Sequence, residues 1–335
     1  RWPWANVCYV RNGRIGRRRS TPMGSSVQAF SVPELWKAVS RREHDRVREL
    51  LAGGVDPDSP LPLTSKPTDA PRIRPLHVVA GQGDLCGAGI LLDAGAEVDG
   101  TFQRYTPLLC ALQNREHDVA ELLESRGARA TFFVACARGD VPAVDEGLGR
   151  DPALAPAADE LGRTPLHVAA YALQPQIVDR LLGCGAAPDA TDPRGVTPLL
   201  SAADSRHDDP SAQLKIMEAL VRAGADVRAV NEDGVTALHR AVRARSVSAV
   251  AFLIDAGADV NARDRGRGST PLRRAVNNTG AGGTAGRIDA ALQIAEMLLR
   301  HGASANDRDK QGRSILQAAR GQAMKALLTE HGARE

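Results

Sequence analysis

The chain has 335 residues, enough for about two globular domains or for a repeat array that lacks any single core. Hydrophobic residues make up 43%, which excludes compositional disorder, while aromatics are only 3%, so the core is aliphatic and rich in alanine. Forty-three basic residues face 40 acidic ones, for a formal charge of +3. Six arginines (Arg1, Arg11, Arg14, Arg17, Arg18, Arg19) fall within residues 1–19, leaving 37 against 40 elsewhere, so the body gives poor grounds for nucleic-acid binding.

Residues 1–30 read as a basic tail without the continuous apolar segment of a signal peptide. Met23 reads as a natural start, making residues 1–22 upstream sequence or a solvated tail; the rival reading is an arm for an anionic partner. No run of about 18 apolar residues occurs, as a membrane helix would need. The five cysteines (Cys8, Cys86, Cys110, Cys136, Cys184) are odd in number, widely spaced and without CxxC. That argues against a disulfide framework or a zinc site and for a reducing cytoplasm. The alanine, glycine and arginine bias suggests a GC-rich, bacterial genome.

From residue 31 onward one pattern returns. VPELWKAVSRRE at Val32 predicts a first helix, with Arg41, Arg42 and Glu43 polar as in a capping unit. The Pro-rich DPDSPLPLTSKPTDAPRIRP then predicts an extended loop. IRPLHVVAGQGD at Ile73, YTPLLCALQNRE at Tyr105, ATFFVACARGD at Ala130 and GRTPLHVAAYAL at Gly162 follow. GVTPLLSAADSR at Gly195, GVTALHRAVRAR at Gly234, GSTPLRRAVNNT at Gly268 and GRSILQAARGQA at Gly312 complete the series. Intervals are 33 and 34 where no insertion intervenes. Thr followed by Pro suits a helix start, with Thr as N-cap and Pro in the first turn.

Each copy leads into a second apolar pattern, as in VAELLESRGA, IVDRLLGCGA, IMEALVRAGA, VAFLIDAGA and IAEMLLRHGA. Spacings of three and four make one helix face, and the closing Gly127, Gly185, Gly224, Gly257 and Gly302 suit a left-handed terminus. DPRG, NEDG and DKQG are turn sequences between the pairs.

A period near 33, a TPLH motif, paired short helices and a polar turn resemble the ankyrin repeat over residues 31–335, in about nine units. The resemblance implies an all-α solenoid of stacked helix pairs with β-turn fingers. It also implies a concave face of first helices and fingers that binds proteins. The turn before unit four is shortened between Ala128 and Ala130, where the weakest stacking is expected. Insertions at 207–213 and 277–290 are expected between paired helices.

His167 raises the question of catalysis or metal binding. Its position reads Trp36, His77, Leu109, Phe133, His167, Leu200, His239, Arg273 and Gln317 through the units. A catalytic constellation converges in one place, whereas this residue recurs and varies, so the histidine is expected to tether the helix start to the preceding turn. GAGGTA at 280–285 lacks the strand a dinucleotide site requires, and the two REHD copies (Arg42–Asp45, Arg115–Asp118) occupy one repeat position at a helix start. Cys110 and Cys136 read as core thiols. No catalytic, cofactor or metal residues are assigned.

The expected function is therefore a non-enzymatic scaffold with a protein partner, and no small-molecule substrate or membrane. The alternatives are a regulatory or inhibitory subunit of an enzyme complex, or nucleic-acid binding through the arginine-rich tail and patch. The candidate contact residues are basic: Arg240, Arg243, Arg273 and Arg274 on first helices, Arg245, and Arg263, Arg265 and Arg267 on a finger. They would suit an acidic partner surface. Tyr171, at the repeat position of Arg243, is a candidate aromatic anchor.

Overall fold

The computed structural model describes residues 32–60, 73–100, 105–205, 209–277, 288–319 and 321–334. The basic tail, Cys8, the GAGGTA loop and most of the Pro-rich segment lie outside the described residues. Among the described residues there are eighteen α-helices and no strand. The chain divides into two compact units, Arg1–Thr131 and Phe132–Glu335. The division falls at the shortened turn, where residues 126–131 alone separate two helices, whereas fourteen residues do so at 184–197.

The first unit holds three helix pairs: α1 (Val32–Arg41) with α2 (His44–Ala52), α3 (Pro75–Gln82) with α4 (Leu85–Asp93), and α5 (Pro107–Gln113) with α6 (His117–Ser125). The second begins with α7 (Phe132–Arg138) and α8 (Val141–Arg150), then a 3-10 turn at Pro152–Leu154. It continues with α9 (Pro165–Tyr171) and α10 (Pro175–Gly183), α11 (Pro198–Ala203) and α12 (Pro210–Arg222), and α13 (Ala237–Ala244) and α14 (Val247–Asp255). The pairs α15 (Pro271–Val276) with α16 (Ile288–Arg300) and α17 (Ile315–Ala318) with α18 (Gln322–Glu330) complete it. First helices pack on first helices and second on second: α9 on α11 on α13 on α15, and α10 on α12 on α14 on α16.

The local sequence accounts for each helix. Thr106, Thr197, Thr236 and Thr270 are N-caps whose side chains accept the backbone N–H three residues on. Such a cap satisfies one of the donors a helix start leaves open. Gly127, Gly185, Gly224, Gly257 and Gly302 follow the second helices at φ between 82° and 99°, a region costly for any residue with a Cβ. First helices bury small residues (Ala169, Ala170, Ala202, Ala203, Ala241, Ala275), which lets backbones approach closely. Second helices bury larger ones, such as Ile177, Leu181, Ile216, Leu220, Leu253 and Leu298. Each large aliphatic side chain so buried contributes about 1.5–3 kcal/mol.

Five fingers of the second unit share one turn. Asp159, Asp192, Asn231 and Asp309 each accept backbone N–H groups from residues two and four places on. In the finger at Asp264 the acceptances come from Arg267 and Ser269, because this finger is one residue longer. Neighbouring fingers are joined by single backbone bonds: Glu232 N–H to Arg194 O at 2.9 Å, Arg265 N–H to Asp233 O at 2.6 Å, and Lys310 N–H to Arg267 O at 3.0 Å.

The insertions differ from expectation. Residues Pro210–Gln213 and Ile288–Ala290 are not inter-helix loop but the first turns of α12 and α16, which run to 13 residues against nine in α10 and α14. Asp209 caps α12 by accepting Ala212 N–H at 2.9 Å, with Pro210 in the first turn. Gln213 then donates to Ala202 O at 2.8 Å, closing the end of α11.

The histidines are tethers, but they reach forward. Nδ1 of His167 accepts from the Thr164 backbone at 3.1 Å, so Nε2 carries the proton and donates 2.8 Å to Val196 O, in the next unit. His239 repeats this with Thr236 and Ser269 O (2.9 Å), and His77 with Arg74 and Tyr105 O (3.2 Å). The expected link to the preceding turn is therefore corrected: the ring joins its own helix start to the residue before the next helix start.

A ring that both accepts and donates must be neutral. Burial pushes His77 and His239 down to about 4, and His167 also below its ordinary value. In the unfolded chain each titrates near 6.5. The unfolded state therefore takes up protons first as the pH falls, and stability present at neutral pH is lost between about 6.5 and 4. The urea midpoint should fall steadily over that window. In His77→Gln/His239→Gln, where the amide can still donate, the pH dependence should flatten, as read by circular dichroism.

Candidate functional site

The candidate arginines separate into three environments. Arg273 and Arg245 are turned inward. Arg273 occupies the histidine position and is 2% exposed. Its guanidinium donates to Arg313 O at 2.6 Å and Asp307 O at 3.1 Å, performing the histidine's forward reach into the last unit. Arg245 is 3% exposed and ends α13 in the left-handed region at φ 60°. It donates to Ala275 O (3.0 Å) and Asn277 O (3.1 Å), capping the end of α15. Arg42 ends α1 in the same way and donates to Gln82 O. Placing Arg245 and Arg273 among surface contacts is thus corrected: Arg245 is consumed by helix-end carbonyls and Arg273 by finger carbonyls of the following unit.

Arg240, Arg243 and Arg274 form a second group, held by aspartates. Asp204, at the end of α11 and buried, lies 3.2 Å from Arg240 Nη1 and accepts a hydrogen bond from Arg243. Arg274 donates to Asp264 at 2.9 Å and feels the charges of Arg243 and Asp204. Burial raises the Asp264 carboxyl, but hydrogen bonds from Arg274, Ser269 N–H and Arg267 N–H outweigh it and hold the group below the usual carboxylate range. Three guanidinium groups thus face two carboxylates across three consecutive first helices, a cluster with little charge to spare.

The third group lies on the finger. Arg265 and Arg267 are exposed, and Arg265 donates to Glu232 O at 3.1 Å. Lys310 and Arg313 on the next finger are exposed as well; in the sequence they are an ordinary residue of the DKQG turn and the residue after it. Arg313 donates to Asp309 at 2.9 Å, and Arg263 to Asp307. Tyr171 is the half-buried last residue of α9, two repeats before the arginine cluster.

The described cysteines are free thiols, with Cys110 and Cys136 buried. Burial pushes the Cys136 thiol up to about 12, far from nucleophilic. Among the described residues no group of three or more His, Cys, Asp or Glu could hold a metal ion. No described helix is long and apolar enough to cross a membrane.

Repeated helix pairs, capped by Thr-Pro, linked by Asx-stabilised fingers and tethered unit to unit, define a helix-pair repeat protein. The family model of ankyrin repeats in three copies matches residues 132–210 and 210–309, more than half of the chain. The chain belongs to the ankyrin repeat family. It is 33% identical over 170 residues to a B-cell lymphoma 3 protein homolog of Mus musculus, covering 51% of this chain and 35% of that protein. It is 35% identical over 106 residues to the NF-kappa-B inhibitor alpha of Homo sapiens, covering 32% of this chain and 33% of that protein. The chain thus spans about a third of the length of these curated relatives. A solved ankyrin repeat domain from Acinetobacter baumannii AYE is similar at 31% identity and a TM-score of 0.51, over 61% of this chain and 98% of that one.

The structure separates scaffold arginines from surface arginines, and stability measurements should do the same. Arg273→Ala removes the side-chain donor to Asp307 O and Arg313 O and the packing of a buried side chain, so a loss of about 3 kcal/mol is expected by urea denaturation. Arg267→Ala should stay within about 0.5 kcal/mol of wild type. Arg273→His, which restores the ring found in units two, five and seven, should recover part of the loss.

Proposed function

We propose that this chain is a protein-binding module that holds its partner on the face made by the first helices and fingers of residues 132–335. The observation that carries this reading is a division of labour within each repeat. Apolar residues and inward-turned donors are used up in stacking. The finger tips, joined by backbone bonds into one strip, keep exposed polar side chains such as Glu232, Asp233, Arg265, Arg267 and Lys310. A preorganised surface of this kind binds without first ordering its backbone. Arg243, Arg265, Arg267 and Tyr171 are the contact residues of this reading. Arg240 and Arg274 serve by holding the helix face beneath them. Free thiols in the described residues suit a reducing, cytoplasmic setting.

A second reading, as an inhibitory or regulatory subunit of a larger assembly, draws support from the relative named as an inhibitor of NF-kappa-B. It uses the same face, with the partner's activity as the added consequence.

The test uses the full chain as bait, followed by hydrogen exchange on the purified complex. A stoichiometric protein partner should slow exchange at residues 193–197, 232–236, 265–270 and 310–314, and leave α10, α12, α14 and α16 unchanged. Protection confined to the second helices would remove the proposed face, and the absence of any stoichiometric partner would remove the function.

A further inference from the structure

The two fingers that close the second unit differ from those before them. They carry Arg263, Arg265, Arg267, Arg308, Lys310 and Arg313, all exposed. Their acids offset these charges only in part, at Arg263 and Arg313. Asp307 and Asp309 are buried, and the Asp264 side chain is only 11% exposed. Each is already committed. Asp264 accepts from Arg274 beneath it, Asp307 pairs with Arg263, and Asp309 holds its own turn together with Arg313. Burial raises the Asp309 carboxyl, but the N–H groups of Arg313 and Gln311 and the Arg313 guanidinium outweigh it, so the turn keeps its anion down to low pH.

The tips bond to carbonyls rather than carboxylates. Arg265 donates to Glu232 O and Lys310 Nζ to Arg265 O at 2.5 Å. A carbonyl dipole orients a cation without cancelling its charge. The bond from Lys310 N–H to Arg267 O holds the two fingers edge to edge, so the cations of both stand along one edge.

Resting on the protein-binding reading above, we infer that the edge formed by fingers 263–269 and 307–313 takes a short, extended acidic segment of the partner, with carboxylates against Arg265, Arg267 and Lys310. Arginine forks and a lysine point charge suit carboxylates spaced along an extended chain. The positive region is short on one side. The preceding finger exposes Glu232 and Asp233, the latter paired with Arg194 at 3.2 Å. A nucleic-acid backbone running along the fingers would meet those acids, and neither basic finger carries an aromatic residue for base stacking. A brief acidic peptide run ends before them. Arg240, Arg243 and Arg274 take no part, because Asp204 and Asp264 already pair with them.

The experiment measures fluorescence anisotropy of a labelled oligoglutamate peptide, an oligoglutamine control and a single-stranded DNA of matched length against the full chain. The finger variant is Arg265→Glu/Arg267→Glu/Lys310→Glu. A charge-matched control, Lys215→Glu/Arg222→Glu/Lys325→Glu, alters exposed residues of α12 and α18. Circular dichroism first checks that each is folded, with glutamine at the same finger positions as the substitute should the glutamates unfold it. The oligoglutamate is expected to bind, to lose about tenfold or more in affinity in the finger variant, and to change less than about twofold in the control. Equal losses in both variants, no peptide binding, or tighter binding of the DNA would each overturn the inference. A partner complex that still protects the first helices while the peptide fails to bind would overturn this edge alone and leave the protein-binding reading in place.

Discussion

The stacking of the second unit turns on one interaction: at α11, α15 and α17 a side chain from the preceding repeat reaches the residue just before the helix start. His167, His239 and Arg273 each donate to the carbonyl just before the next N-cap. That carbonyl also accepts a backbone N–H from its own finger (Asp192 to Val196, Asp264 to Ser269, Asp309 to Arg313), so the side chain supplies its second hydrogen bond and ties the finger to the neighbouring repeat. The same logic operates at the other end of the first helices, where Arg245 and Gln213 close carbonyls that the helix leaves open. It operates again after the second helices, where Asp189 accepts Asp226 N–H and Asn261 donates to Gly302 O. A repeat here is a half-finished object that its neighbour completes, which is why stability in such arrays is a sum of nearest-neighbour terms.

The constraint also decides which charges are available. Arginine carries a long apolar stem and five donors, so it can substitute for histidine in a tether, cap a helix end, pair with a buried aspartate or stand on a finger. All four uses occur between Arg240 and Arg274. Those consumed by the scaffold point at carbonyls and carboxylates of the adjoining repeat. Arg265 on its finger meets a carbonyl, because the finger's own Asp264 is spent on its turn and on Arg274. The surface proposed to bind a partner is the remainder after the scaffold has taken the donors it needs.

Several features were legible because they are local. The Thr-Pro helix starts, the apolar spacing of second helices, the closing glycines and the Asx turns each depend on residues within a few positions of one another. Together they place nine helix pairs where nine copies of the motif stand. Other features were legible only in part. Asp209-Pro210 is a helix-start signal of the same kind as Thr-Pro, yet the HDDPSAQ stretch reads as loop until α12 shows that the helix begins there. Arg245 sits where a left-handed residue ends a first helix, a position held by Gly83 after α3.

The sequence by itself determined the repeat, its period, the helical class and the scaffold role of His167, because each copy repeats the same short-range chemistry and recurrence exposes it. Only the tertiary structure decided the direction of the histidine tether and the fate of each arginine. The reason is physical. The partners of Arg240, Arg243, Arg245 and Arg273 lie 30 to 41 residues away, one repeat along in either direction, and nothing in a local window tells a guanidinium that faces water from one that faces the neighbour's carbonyls.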